Sequence, residues 1–378
     1  MKTGIQTVSR LSGIAAYLTL ATAACSDDTT GPTPTTDFDA RSTAQTLASV
    51  TAMPAGSDAV FAQLGLAAGA LAQQGGAAGS VSVPTPVPGL PELGPAAVPG
   101  LPRLAAFLAS RGGAVPIFPV NLLGKTFVWD PATRSYRVDE ELTGAPANGV
   151  RFILYAISPL TGEPVTPLQP VGFVDLLDES DAAATRLRVT AVDTSGADPV
   201  TLVDYVLGGS FEVTTSLTVR LTAEGFLSDG SGRLEFSLSQ DITVGESPGT
   251  FGIALEHHLN VPGLDASVDL VLTGTGAEGE EDLRSLAASL TIRDGANSAV
   301  LRATTSDGSL SGSLRYNGQI VIVIGGTPEA PTFTGPGGEE LQPDDLEALE
   351  EILEAVEEIL GFSEEILQPI AELFGISG

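Results

Sequence analysis

The chain has 378 residues, of which 47 are acidic and 17 basic, giving a formal net charge of −30. A phosphate backbone or an anionic bilayer surface repels such a molecule, which argues against nucleic acid as a partner. The one cysteine, Cys25, excludes an intrachain disulfide and any Cys-based zinc or iron–sulfur site, and with them thiol catalysis in the folded part.

An apolar fraction of 43% with only 5% aromatics predicts a core built of Leu, Val, Ile and Ala. The length predicts one or two domains.

Residues 1–24 read as a secretory signal. Lys2 and Arg10 give a basic start, Leu11 to Ala24 is apolar and small, and the run is too short to span a bilayer. Cys25 follows Ala23 and Ala24 directly, and Ser26, Asp27 and Asp28 come next. This arrangement resembles the lipobox of bacterial lipoproteins, with one departure: Thr22 stands where that family prefers Leu. The resemblance implies lipidation at Cys25, cleavage just before it and a stable membrane anchor. Ser26 in place of Asp after the cysteine leans toward the outer membrane, facing the periplasm or the cell surface. The alternative is ordinary cleavage after Ala21, Thr22 and Ala23, which leaves a soluble secreted protein.

Residues 25–40 read as a lipidated tether, polar and Pro-bearing. Residues 41–124 form an Ala/Pro/Gly-rich segment, partly helical and partly disordered. Arg41 to Gln73 predicts one or two helices, with Ser57 and Asp58 capping the second. Pro84, Pro86, Pro88, Pro91, Pro95, Pro99 and Pro102 predict an extended linker, with a short helical patch at Leu104 to Ser110.

Residues 125–326 change to period two and predict an antiparallel β domain. Phe211 to Leu221 alternates without a break, as one long strand. Leu234 to Val244 and Phe251 to Val261 repeat the pattern. Turns are predicted at Gly208–Gly209, Asp229–Gly230, Asp294–Gly295, Asp307–Gly308 and Asn317–Gly318. The reading is a mainly β fold, a long antiparallel meander of ten or more strands forming a curved sheet or partial barrel.

Residues 327–378 read as acidic amphipathic helices packing on that sheet. Leu346, Leu349, Ile352, Leu353, Val356, Ile359 and Leu360 recur at helical spacing, against a polar face of Glu. Pro343 with Asp344 and Asp345 starts the helix, Gly361 ends it, and Ser363 opens a shorter second one. The apolar stripe of the C-terminal helix matches the apolar face that the sheet must cover.

No motif carries catalytic chemistry. His257 and His258 are adjacent, so on a strand they point to opposite faces and cannot easily ligate one metal together. His257 has the parity of Leu255 and Leu259 and belongs at the edge of the core. No G-x-S-x-G and no phosphate-binding Gly loop occurs, and the single tryptophan, Trp129, reads as a strand running into a turn. Gly274 to Asp282 is an acidic loop with some potential to hold calcium, but without EF-hand spacing. The Glu-rich run from Glu339 to Glu372 contains no Lys or Arg and reads as a solvated helix face or a surface for a basic partner.

The expectation is a non-enzymatic module without cofactor, metal or catalytic residues, tied to the membrane through its N-terminal lipid. Its predicted architecture is similar to periplasmic carriers and lipoproteins that hold acyl chains between sheet and helix, which implies binding of a hydrophobic ligand or lipid. The alternative is a structural or protein-interaction lipoprotein of the envelope. A hydrolase lacks motif support, and an outer-membrane barrel would carry aromatic girdles and end in a strand. Residues Phe127 to Ser180 resemble uncharacterised exported bacterial proteins, which implies no activity.

Overall fold

The computed structural model describes residues 40–51, 58–73 and 117–373, apart from 159, 182–183, 215, 245–249 and 278–283. The expected signal, Cys25, the tether, the Pro-rich linker, the patch at Leu104 to Ser110 and most of the acidic loop lie outside the described residues.

Two helices come first, α1 (Ala40–Thr51) and α2 (Asp58–Gln73). Fifteen strands follow among the described residues: β1 (Lys125–Asp130), β2 (Ser135–Asp139), β3 (Gly149–Tyr155), β4 (Pro170–Asp178), β5 (Thr185–Asp193), β6 (Val200–Val213), β7 (Leu217–Ser228), β8 (Arg233–Val244), β9 (Thr250–Val261), β10 (Ala266–Ala277), β11 (Ser285–Asp294), β12 (Asn297–Ser306), β13 (Ser309–Tyr316), β14 (Gln319–Thr327) and β15 (Ala330–Thr334). Helix α3 (Pro343–Leu373) closes the sequence of elements.

All fifteen strands form one open sheet. From β3 to β15 every strand pairs antiparallel with the next. The order then ends β3-β1-β2, and β1 runs parallel to β3. The fold is the mainly β meander expected, with one parallel pair and with its last strand, β15, beyond residue 326.

Three local expectations are corrected. Phe211 to Leu221 is split between two paired strands rather than lying on one: Val213 at the end of β6 faces Leu217 at the start of β7. Gly208 and Gly209 lie inside β6, opposite Thr222 and Leu221, and make no turn. A Cβ at Gly208 would overlap Thr222, so the glycine admits a close neighbour within the ladder. Finally, α3 runs through Gly361 without a break. The apolar stripe continues past that point with Phe362 and Ile366, both buried, and its burial outweighs the roughly 1 kcal/mol that glycine costs in a helix.

The turns at Asp294–Gly295, Asp307–Gly308 and Asn317–Gly318 are tight hairpins. Asp307, Gly308, Asn317 and Gly318 all have positive φ, the backbone that these residue types adopt most easily.

The sheet is apolar on one face and polar on the other. On the polar face, bidentate Arg–Asp pairs cross neighbouring strands. Arg151 meets Asp175 (2.7 and 2.8 Å), Arg188 meets Asp204 (2.8 Å twice) and Arg220 meets Asp241 (2.7 and 2.6 Å). These join β3 to β4, β5 to β6 and β7 to β8. Asp269 on β10 does the same for its neighbours, accepting from His258 on β9 and Arg293 on β11. Burial opposes ionisation of Asp269, but those two partners outweigh it and hold the carboxyl below its usual range. A one-residue slip would break each pair and turn the apolar side chains outward, so the ladder helps to hold the register.

The helices cover the apolar face. α1 lies against β9, β10 and β11, α2 against β2 and β3, and α3 packs on both α1 and α2. Buried Leu47, Leu64, Leu71, Ile352, Ile359 and Ile366 join the side chains of the sheet in one core. Each such burial contributes about 1.5–3 kcal/mol. Polar contacts fix the edges of this cover. Thr46 donates its hydroxyl to Asp294 (2.9 Å), and Gln63 Oε1 accepts from the backbone N–H of Tyr155 (2.8 Å).

Candidate ligand-binding face beneath helix α3

The alternating pattern of β6, β7 and β8 sets Tyr205, Gly225 and Phe236 side by side on the covered face. Strands two apart are separated by about 9.6 Å, yet the rings of Tyr205 and Phe236 stand 5.8 Å apart, leaning toward each other over the glycine. No other residue fits there, because a Cβ at Gly225 would overlap Tyr205 and the carbonyl oxygen of Asp204. Phe236 in turn meets Phe362 of α3 edge to face, at 5.5 Å and 89°.

Ser363 follows Phe362 and reaches His257 on β9, at 3.3 Å from Nδ1 and 3.2 Å from Nε2. Its hydroxyl proton goes to the carbonyl of Ile359 (2.9 Å), so its oxygen is left to accept from the imidazole. His257 is flanked on its own face by Leu238 of β8 and Leu270 of β10. Burial pushes its pKa down to about 4, so the ring is neutral at physiological pH. His258 points outward to Asp269 at 2.5 Å. The two histidines thus lie on opposite faces, with His257 deep in the core rather than at its edge.

Tyr205 is 1% exposed, and its hydroxyl has no hydrogen-bond partner among the described residues. Burial raises its pKa, so it remains a neutral donor. Among the described residues the other buried side-chain atom without a partner is Thr126 Oγ1, on β1. The buried polar side chains described are Thr43, Thr46, Gln63, Thr126, His257 and Ser363, with no Lys or Arg among them.

Trp129 is buried in β1 against Tyr136 rather than displayed as a binding platform. Glu347, Glu350, Glu351, Glu354 and Glu358 are exposed on the outer face of α3. Within the acidic loop, Gly274 to Ala277 belongs to β10, and among the described residues no group of three His, Cys, Asp or Glu converges as a metal site. No described helix is long and apolar enough to cross a membrane.

Tyr205 and Ser363 carried no signal of their own in the sequence. Tyr205 stands in the alternation Val203, Tyr205, Leu207 and reads as core. The one available hint was a hydroxyl-bearing ring among aliphatic neighbours.

No protein-family model matches the chain, and no significant match is found among curated proteins or solved structures.

Proposed function

We propose that this chain is an exported lipoprotein, anchored through Cys25, that holds a hydrophobic ligand of the cell envelope between its sheet and α3 without enzymatic activity. Its place on this reading is the outer membrane, facing the periplasm or the cell surface. The observation that carries the reading is the apolar face of an open fifteen-strand sheet, covered in part by a helix joined to β15 through residues 335–342. Sheet and helix each satisfy their own backbone groups. Parting them therefore breaks few hydrogen bonds and exposes mainly apolar side chains, whose burial an acyl chain can restore. The exposed Glu residues of α3 keep such a cover soluble when it lifts.

The test is titration of the full chain with the hydrocarbon dye diphenylhexatriene. The reading expects saturable fluorescence enhancement; a signal that never rises above that of the buffer would sink it.

A second reading, a structural or protein-interaction lipoprotein, draws on a different observation. Among the described residues, strands β2 and β15 end the sheet, each hydrogen-bonded to a neighbouring strand on one side, and edge strands are templates for added strands. Crosslinking in cell envelopes tests it: reproducible adducts through these edges are expected, and their absence counts against it.

A further inference from the structure

Tyr205 is the one side chain on the covered face of β6 to β9 whose polar atom is fully buried and unpartnered among the described residues. Leaving such a hydroxyl unpaired is unfavourable, and a phenylalanine would fill the same space without the penalty. Its ring touches Phe236, and Phe236 touches Phe362 of α3, so the ring belongs to the same buried core as the inner side chains of α3.

The chemistry of any partner is restricted by what surrounds it. No buried Lys or Arg is described in the core, and His257 is neutral. A carboxylate or phosphate entering this layer would be an uncompensated buried charge. A neutral acceptor, such as an ester carbonyl, meets no such penalty and takes the proton that Tyr205 offers.

Resting on the reading of the chain as a hydrophobic-ligand module, we infer that the ligand is a neutral acyl ester whose carbonyl accepts a hydrogen bond from the Tyr205 hydroxyl beneath α3. Uncharged hydrocarbon is held by the same layer but without this contact, and ionised fatty acids are disfavoured.

The experiment compares the full chain with its Tyr205→Phe variant, using monoolein to displace diphenylhexatriene. Removing the hydroxyl is expected to weaken monoolein about 2- to 10-fold, the range for one net hydrogen bond. Affinity for the dye should stay unchanged, and the variant without ligand should be at least as stable as the parent. Equal monoolein affinity in the two proteins, or equal losses for monoolein and dye, overturns the inference while leaving the hydrophobic-ligand reading intact. A variant less stable than the parent overturns it too, because the hydroxyl then has a partner within the protein. If the parent binds neither compound, the hydrophobic-ligand reading itself fails, and this inference with it.

Discussion

Ser363 of α3 and His257 of β9 share one hydrogen bond across the interface between helix and sheet, the serine oxygen lying 3.2 Å from Nε2 and 3.3 Å from Nδ1 of the buried ring. The serine proton is already committed to Ile359, so the serine oxygen accepts from one imidazole nitrogen. A protonated ring would carry a charge that no described acid faces: Leu238 and Leu270 flank it on the sheet, and Ile359, Phe362 and Ile366 belong to the helix stretch above.

This makes the protein less stable in acid. The folded-state pKa of His257 is pushed from 6.5 down to about 4, so between these values the unfolded chain binds a proton that the folded chain refuses. Stability is undiminished above pH 6.5, falls by about 3 kcal/mol as the pH drops toward 4, and loses nothing further from this group below that. Urea midpoints measured from pH 7.5 to 4.5 should show the decline in the parent and a flatter profile in His257→Leu. Parallel profiles would contradict the account.

Gly361→Ala should stabilise the protein by up to about 1 kcal/mol. The glycine is exposed inside a continuous helix, its φ is not positive, and a Cβ there meets nothing within 4 Å. A break in the helix at this glycine predicts the opposite sign, because alanine resists the left-handed backbone of a helix end. Thermal unfolding of the variant decides between them.

Phe362→Ala removes the ring that meets Phe236 and should cost about 3–5 kcal/mol. If α3 is the cover, the loss falls on the docking of the helix, so binding of a reporter dye for exposed apolar surface should rise at temperatures where the far-ultraviolet signal of the sheet is still intact. Simultaneous loss of both signals would show that the helix and sheet unfold as one.

The Arg–Asp pairs should differ in strength with burial. Arg151 and Asp175 are 21% and 15% exposed, and the guanidinium stacks 3.7 Å from the Phe173 ring, whereas Arg220 is 58% exposed. A double-mutant cycle at Arg220 and Asp241 should give a coupling of about 0.2–1 kcal/mol that fades in salt. The coupling at Arg151 and Asp175 should be larger and less sensitive to salt. Equal couplings would contradict the burial argument.

Much of this fold was legible in period and turn chemistry, and what failed did so for identifiable reasons. The break between β6 and β7 hid because Val213 faces Leu217: partners of equal parity leave the alternation unbroken from one strand to the next. Between β7 and β8 the partners have opposite parity, as in Leu217 opposite Val244, and the apolar positions shift from odd to even numbers, so that break could be seen. Gly361 misled because a glycine after an apolar run is also the usual mark of a helix end. The pairing of Ser363 with His257 was out of reach of spacing rules, since 106 residues separate the two and only the docking of α3 brings them together. The orphaned hydroxyl of Tyr205 likewise becomes visible only when its surroundings are known.

Native mass spectrometry of the full chain, purified gently from the envelope of cells that produce it, reads any bound ligand by its mass. The expected result is a population heavier than the polypeptide with its acyl modification at Cys25, which releases a neutral acyl ester on activation in the gas phase. A single species at the mass of the acylated polypeptide alone, with no releasable lipid, would contradict it.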